Sequence, residues 1–196
     1  MKRTHRLTNR KGFTLAETLL AVLILLLVSG IVATGIPVAS KVYEKTVLSA
    51  NAQSLLSTTV SALRDELGTA WDVEAVDNAV TYYSADTGNR SKLEKTEVTE
   101  GALKIKKIKL TEYEGLNTGE GSKVIERTLI PDATLTRDLD ITYDTVTYTY
   151  NPDADLGVVE FMDLQVTPKG KTSPVIAQMA SLKIRVAAAS PTPSSD

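Results

Sequence analysis

KGFTLAETLLAVLILLLVSG, residues 11–30, is the stretch that decides how the N-terminal part of this chain is interpreted. A Lys-Gly pair opens the stretch and apolar residues fill most of the rest. One acid, Glu17, lies at the edge of the apolar run, where an ionised carboxylate is costly and normally has a partner. From Thr18 to Ser40 the chain contains no Asp, Glu, Lys or Arg. A helix over this segment, at about 1.5 Å per residue, would measure roughly 34 Å, enough to span a hydrocarbon core about 30 Å thick.

Charge is distributed unevenly along the chain. The 196 residues carry a formal net charge of −2, but residues 1–12 contain five Lys and Arg residues and no acid, so the remainder has a net charge of −7. Basic residues before an apolar helix stay in the cytoplasm, so we expect a single pass through the cytoplasmic membrane with the remainder exported. The absence of cysteine excludes a disulfide framework, and the single histidine makes zinc sites and histidine-based catalysis improbable.

Three interpretations of this N-terminus compete. A cleaved secretory signal fits the basic start, but its apolar run would normally be about 7–15 residues long and would avoid an acid such as Glu17. A plain one-pass anchor explains the length and the orientation. It does not explain Gly12-Phe13 followed by Glu17.

The third interpretation is a family resemblance. The segment Lys11–Glu17, reading KGFTLAE and followed at once by a long apolar run, resembles the class III signal of type IV prepilins and pseudopilins. The resemblance covers residues 1 to about 40. It implies that a prepilin peptidase cuts between Gly12 and Phe13 and then methylates the new amine of Phe13. It also implies other pilin or pseudopilin subunits and an inner-membrane assembly platform as partners.

The resemblance also implies a role for Glu17 in assembly. In this family the glutamate pairs with the N-terminal amine of a neighbouring subunit, which would neutralise two charges in a low-dielectric setting. The alternative is that Glu17 lies at the membrane interface and is hydrated while the subunit is isolated in membrane lipid.

The rest of the chain predicts one helix followed by strands. Apolar residues recur at three- and four-residue steps from Leu48 to Leu67, which indicates an amphipathic helix that ends near Gly68. Pro37 and Gly35 suggest a bend between the two halves of this helix. Alternating patterns then predict five or six strands, over residues 80–83, 102–110, 124–130, 141–150, 158–166 and 175–186. The alternation in 102–110 slips at Lys106-Lys107, which suggests a β-bulge.

These elements predict an α+β fold in which the soluble half of a long helix packs on an antiparallel β-sheet, as in pilins. We expect a cleaved leader over residues 1–12, a transmembrane or filament-core helix half over 13–40, an exported globular domain over 41–187 and a disordered tail over 188–196.

No motif marks a catalytic site, so an enzyme is not expected. The lysine-rich strand 104–109 could contact nucleic acid, but flanking glutamates favour a solvated strand face, and nucleic acid is an unlikely partner. The tyrosines at 143, 148 and 150 favour core and cross-strand packing. Oxygen side chains that could ligate Ca²⁺ precede Gly157 at Asn151, Asp153 and Asp155. Some pseudopilins bind calcium near their C-terminal strands. A hairpin loop explains the same residues. No other cofactor is expected.

The function that we expect is a structural subunit, a pilin or pseudopilin, of a type IV pilus, a type II secretion filament or a DNA-uptake filament. The alternatives are a membrane-anchored extracytoplasmic binding protein that does not polymerise and an exported enzyme with an uncleaved anchor. The lack of cysteine departs from the disulfide-closed loop of many pilins.

Overall fold

A computed structural model describes residues 14–114, 123–131, 137–153, 156–172 and 174–187. In these ranges the chain forms one α-helix followed by nine β-strands. Their bounds are α1 Leu15–Gly68, β1 Trp71–Val76, β2 Ala79–Tyr83, β3 Arg90–Glu100, β4 Leu103–Tyr113, β5 Lys123–Thr128, β6 Leu139–Thr142, β7 Thr145–Asn151, β8 Leu156–Pro168 and β9 Ala177–Ala187. The chain divides into two compact units, one up to Val47 and one from Leu48 onward.

The first unit is the N-terminal part of α1. Its apolar side chains are exposed along the whole apolar run, including Leu25, Leu26 and Leu27 at 62–66 %. Pro37 lies inside the helix, which continues on both sides of it. Hydroxyl groups here donate to carbonyls one turn earlier, as Ser29 Oγ does to Leu25 O at 2.7 Å. A polar group bonded within its own helix can enter a bilayer without an unsatisfied donor.

The second unit begins with the amphipathic part of α1. The buried residues of the helix all lie on one stripe: Ala52, Leu55, Thr59, Val60, Leu63 and Leu67. Thr59 is accommodated in this stripe because its hydroxyl donates to Leu55 O at 2.8 Å. This stripe and the helix end at Gly68 confirm the expectations from sequence.

A five-stranded antiparallel meander, in the order β1-β2-β3-β4-β5, forms the first sheet, called sheet A. Its β1–β2 hairpin turns at Asp77 and Asn78, whose φ values of 52° and 60° suit a two-residue turn of type I′. The β3–β4 hairpin turns at Gly101, where φ is 63°. The register of β3 and β4 runs without a shift from Arg90↔Tyr113 to Glu100↔Leu103.

The second sheet, sheet B, is built around β8. The strands β6 and β7 pair with β8 at one edge, and β9 pairs with it at the other. Both β6 and β7 keep one register with β8, so they form a single strand that is interrupted at Tyr143 and Asp144. Tyr143 leaves the strand ladder at this interruption and contacts the other sheet.

One hydrophobic core joins the helix to both sheets. It contains Leu63 and Leu67 of α1, Leu93 of sheet A, and Phe161 and Leu182 of sheet B, all nearly inaccessible to solvent. A smaller cluster joins Ala52 and Leu55 to sheet B residues near the start of β6 and the end of β8, which are Leu139, Ile141 and Val166. The predicted α+β class, a long helix packed on antiparallel sheet structure, is confirmed.

Several polar groups complete the core. Tyr82 Oη donates to Glu66 Oε1 at 2.7 Å and so links β2 to α1. Burial, followed by the neighbouring Glu66 carboxylate, raises the pKa of Tyr82. Tyr143 packs edge-on against Phe161, with ring centroids 5.2 Å apart. Its hydroxyl donates to Asn78 O at 2.7 Å and accepts from Lys95 N–H at 3.0 Å.

Details of the sheets differ from the sequence expectations. Nine strands form two sheets, whereas the sequence suggested five or six strands in one. The strands β1 and β3, which were not predicted, are rich in charged residues. In β3 these residues form ion pairs, such as the one between Lys92 and Glu94 of the same strand at 2.6 Å. The bulge expected at Lys106-Lys107 is absent from the β3–β4 pairing. Ile105 and Ile108 are instead buried on opposite faces of β4, which breaks the hydrophobic alternation without breaking the register.

Candidate functional site

The first turn of α1 is built by Thr14 and Glu17. Thr14 precedes the helix, and its Oγ1 accepts the Glu17 N–H at 3.3 Å. Glu17 Oε2 accepts in return the Thr14 N–H at 3.0 Å and the Thr14 hydroxyl at 3.1 Å. This reciprocal arrangement is a capping box, which satisfies two backbone donors that an isolated helix start would leave unpaired.

The capping box gives Glu17 an intrachain partner. Its carboxylate also lies in the first turn, where the helix dipole favours a negative charge. The expectation from sequence weighed a neighbouring amine against hydration and did not consider Thr14 as a partner. The spacing Thr-x-x-Glu before an apolar run was the signal that could have found it. Within residues 14–114, the two hydrogen bonds that the Glu17 side chain accepts, from the Thr14 N–H and the Thr14 hydroxyl, both use Oε2.

The expected cleavage residues Gly12 and Phe13 lie outside the described residues, as do the leader 1–12 and the tail 188–196. Helix α1 begins at Leu15, three residues after Gly12. The processing of Gly12 and Phe13 and the assembly role of Glu17 remain predictions.

The candidate calcium residues lie at the β7–β8 turn. Asn151 Oδ1 accepts the Asp153 N–H at 3.0 Å, which is the local bond of an Asx turn, and Asp155 lies outside the described residues. Gly157 is required by packing, because a Cβ there would overlap the ring of Tyr148. In the described ranges no three His, Cys, Asp or Glu side chains are grouped closely enough to hold a metal ion.

The charged strands are largely paired. Lys109 Nζ lies 2.9 Å from Glu94 Oε1, and both of these lie on the sheet A face that includes Glu126. Burial raises the pKa of Glu94, but hydrogen bonds from Lys92 and Lys109 outweigh it and bring the pKa below its ordinary value. Among the tyrosines, Tyr143 is in the core, Tyr148 is half-buried and Tyr150 is exposed.

Helix α1 is long and apolar enough to cross a membrane, and its most apolar window has a mean hydropathy of 2.8 with none of its residues buried. The family model described as the prokaryotic N-terminal methylation motif matches residues 7–33. The chain carries a type IV pilin-like prepilin signal. The matched residues include Arg10 and Lys11, the capping box and most of the apolar run. No curated protein and no solved structure matches the chain.

The prepilin signal supports a pilin-like or pseudopilin precursor. It implies processing by a prepilin peptidase and assembly with other pilin subunits, and the long apolar helix fits anchoring in a membrane. Proteins with this motif are structural. The matched residues end within the helix and do not include the sheets. The pilin-like description of the sheets therefore rests on the architecture alone.

Proposed function

We propose that this protein is a structural subunit of a type IV pilin-like filament. The subunit would be anchored in the cytoplasmic membrane with its leader in the cytoplasm, cleaved between Gly12 and Phe13, and methylated on Phe13. An assembly platform would then extract it, so that apolar helices pack in the filament core and the sheet domain faces outward.

The prepilin signal at residues 7–33 is the observation that carries this proposal. Two features of the fold support it. The apolar run of α1 is exposed, so it needs lipid or other helices as surroundings. The amphipathic part of the same helix is buried against both sheets, so the apolar run can leave the bilayer while the domain stays folded.

The capping box supports the proposed role of Glu17. Cleavage after Gly12 would make Phe13 the first residue, with Thr14 and Glu17 directly after it. Thr14 holds the Glu17 carboxylate at the start of the helix by the two bonds to Oε2. A carboxylate in this position can receive the amine of a neighbouring subunit and fix the axial position of packed helices.

Mass spectrometry of the full chain, extracted from membranes that contain a prepilin peptidase, tests the proposal. The expected species is residues 13–196 with one added methyl group. Gly12→Ala should block or weaken the cut, because the peptidase must accept a residue with almost no side chain before the bond. Gly30→Ala is the matched control, since a Cβ at Gly30 has open space and lies within the apolar run.

An intact Met1 terminus in such membranes would contradict the proposal. It would favour a membrane-anchored binding protein that does not polymerise, because only a filament subunit needs a free amine at Phe13. Normal cleavage of the Gly12→Ala chain would show that the cut lies elsewhere.

A further inference from the structure

A lysine-lined cleft lies between the end of the β3–β4 hairpin and the β8–β9 loop. Its volume is about 350 Å³, which is within the range of small-ligand sites. The residues that line it are Glu97, Lys104, Lys106, Gly170, Lys171 and Thr172. Three lysines and one glutamate therefore line a space open to solvent.

The positive charge of this lysine-lined cleft is poorly neutralised. Lys104 Nζ is 3.7 Å from Glu97 Oε2, and Lys104 is 71 % exposed, so this pair is weak. Among the described residues no carboxylate lies within 4 Å of the ammonium groups of Lys106 and Lys171. The other lysines of the sheets include many that are paired, such as Lys92, Lys109, Lys123, Lys169 and Lys183. The chain from residue 13 onward has a net charge of −7, so the cleft is a basic site on an acidic molecule.

The part of the β8–β9 loop at Lys169 and Gly170 is held in place by its contacts. Gly170 has a φ of 71°, and its N–H donates to Asp140 Oδ2 at 2.8 Å, while Asp140 is only 2 % exposed. Leu103 of the hairpin packs so closely on Gly170 that a Cβ there would come within 2.8 Å of the Leu103 side chain. Lys169 Nζ also lies 3.5 Å from Glu100 Oε2. A site held in this way needs little ordering when a ligand binds.

The lysine-lined cleft lies at the end of the sheet domain where the chain enters it. The β8–β9 loop begins after Pro168, and Ile176 at its far end packs on the small cluster that includes Leu48 and Ala52. Leu48 is the first residue of this unit. It follows Ser40, the last residue of the uncharged segment, by eight residues, which can extend to at most about 28 Å. An anchored chain therefore keeps this end of the domain close to lipid headgroups.

We propose that the lysine-lined cleft binds the phosphate headgroup of an anionic phospholipid while the subunit is held in the membrane. The inference rests on the membrane-anchored stage of the proposed function. The tether supplies a high local concentration of headgroups, and lysines close to an anionic surface attract it. A nucleic acid fits less well, because none of the described residues that line the cleft is aromatic, so bases would have no ring to stack on.

The experiment uses the full chain in nanodiscs made of phosphatidylcholine alone or mixed with phosphatidylglycerol. The chain has no cysteine, so Thr99→Cys gives a single thiol for a donor fluorophore on the exposed end of β3, beside the cleft. Energy transfer to phosphatidylglycerol labelled on its acyl chain reports how much anionic lipid gathers near the cleft. Each lysine at an anionic surface contributes on the order of fivefold in partition.

Transfer to labelled phosphatidylglycerol should exceed transfer to equally labelled phosphatidylcholine. The triple variant Lys104→Gln, Lys106→Gln, Lys171→Gln should abolish the difference. The triple variant Lys92→Gln, Lys123→Gln, Lys183→Gln removes the same charge from paired lysines elsewhere and should retain it. High salt should reduce the difference, because the Debye length falls from about 10 Å at 0.1 M to about 3 Å at 1 M.

Equal loss in both triple variants would show a general charge effect and overturn the proposal. So would an unchanged signal in the cleft variant with a native circular dichroism spectrum. Displacement by inorganic phosphate at millimolar concentration, without lipid enrichment, would assign the cleft to a free anion. Binding of a duplex DNA oligonucleotide in place of phosphatidylglycerol would also contradict the proposal. None of these readouts depends on cleavage or filaments, so a failed proposed function and a failed lipid site are told apart.

Discussion

In the proposed filament subunit, Glu17 would serve two stages. Its Oε2 closes the capping box with Thr14 before any neighbour is present. The carboxylate is therefore held in a fixed direction at the first turn, and its burial in a bilayer is eased by two donors. A neighbouring amine would add to this arrangement and would not have to build it.

Replacing Glu17 by Gln separates the cap from the charge. The Gln side chain keeps an oxygen that can accept the Thr14 N–H, so the helix start should persist. Insertion into the membrane should survive, because an acid is removed from an apolar segment. Cleavage should also survive, because the cut lies on the other side of Phe13. Incorporation into filaments should fall sharply, since the partner amine would be buried without a counter-charge. The ratio of protein in sheared filaments to protein in the membrane measures this.

Glu17→Ala is the informative comparison, because it removes the cap as well as the charge. If Gln and Ala both incorporate like the unmodified chain in a subunit that lies along the shaft, the pairing of Glu17 with an amine is wrong. A subunit at the filament tip has no neighbour above it and is less sensitive to either change.

At the scale of elements, the amphipathic part of α1 holds the domain together. A fragment that begins at Lys41 should be soluble, monomeric and folded, because the buried stripe remains with both sheets. Leu55 is fully buried in the cluster that joins the helix to sheet B. Leu55→Asp should unfold the fragment, since an uncompensated buried charge costs about 3–5 kcal/mol against a total stability of about 5–15 kcal/mol.

Urea unfolding followed by circular dichroism measures this effect. Ser57→Asp introduces the same carboxylate at an exposed position of the same helix and should change the stability little. A well-folded Leu55→Asp fragment would show that the stripe does not carry the packing between helix and sheets.

Tyr143 joins the two sheets at a single hydroxyl. Tyr143→Phe keeps the packing on Phe161 but leaves the Asn78 carbonyl and the Lys95 N–H without this partner. Both hydrogen bonds are partly buried and each should contribute about 0.5–1.5 kcal/mol, so the free energy of unfolding should fall by about 1–3 kcal/mol. Tyr43→Phe, on the exposed part of the helix, should have no effect on urea unfolding of the same fragment. Equal urea midpoints for the two variants would show that the Tyr143 hydroxyl does not contribute to stability.

At the scale of the whole molecule, ion pairs make stability depend on pH. The pKa of Glu94 is lowered from 4.5 because the bonds from Lys92 and Lys109 outweigh its burial. The pKa of Glu160 is lowered chiefly by a hydrogen bond from Ser181. A carboxyl with a lowered pKa in the folded state contributes stability that is present above pH 4.5 and lost as the pH falls through the folded-state pKa.

The fragment from Lys41 should therefore have nearly constant stability from pH 7 to pH 5 and lose it below about pH 4.5. Glu94→Gln should lower the stability at pH 7 and flatten the decline at low pH. Glu44→Gln is the control, because Glu44 is an exposed acid of the helix with Lys41 and Lys45 near it in sequence. This variant should leave the decline of stability at low pH unchanged. A decline of equal slope in both variants would exclude Glu94 as a source of the pH dependence.

The sequence predicted the helix and the class of fold because their signals are local. A run without charge followed by a stripe from Leu48 to Leu67 can be seen within one element. The division into two sheets could not be predicted, because the pattern within a strand does not say which strand it pairs with, and β5 ends sheet A while β6 pairs with β8 in sheet B. The lysine-lined cleft was also missed, since it brings the β3–β4 hairpin close to a loop that lies more than sixty residues further along the chain.

The residues of the candidate site also divide into those that were predicted from the sequence and those that were not. Gly12, Phe13 and Glu17 stand in a contiguous motif, so their expected roles follow from sequence alone. The partnership of Thr14 with Glu17 was readable from a three-residue spacing and was overlooked. The strand β3 was not predicted because its Lys and Glu residues obscure the alternating pattern of a strand. The pairing of these residues across strands can be seen only when the strands are brought together.

The Tyr143 hydroxyl has a mechanical consequence for a subunit in a filament under tension. The apolar side chains of the shared core make many weak, undirected contacts, whereas two hydrogen bonds at 2.7 and 3.0 Å are directional and weaken steeply when their geometry changes. Sheet A and sheet B are thus pinned at Tyr143, beside which Lys95 Nζ also donates to Asp144 O. A pulling force that crosses from one sheet to the other would rupture this pin before the core separates, so the subunit would yield in two steps.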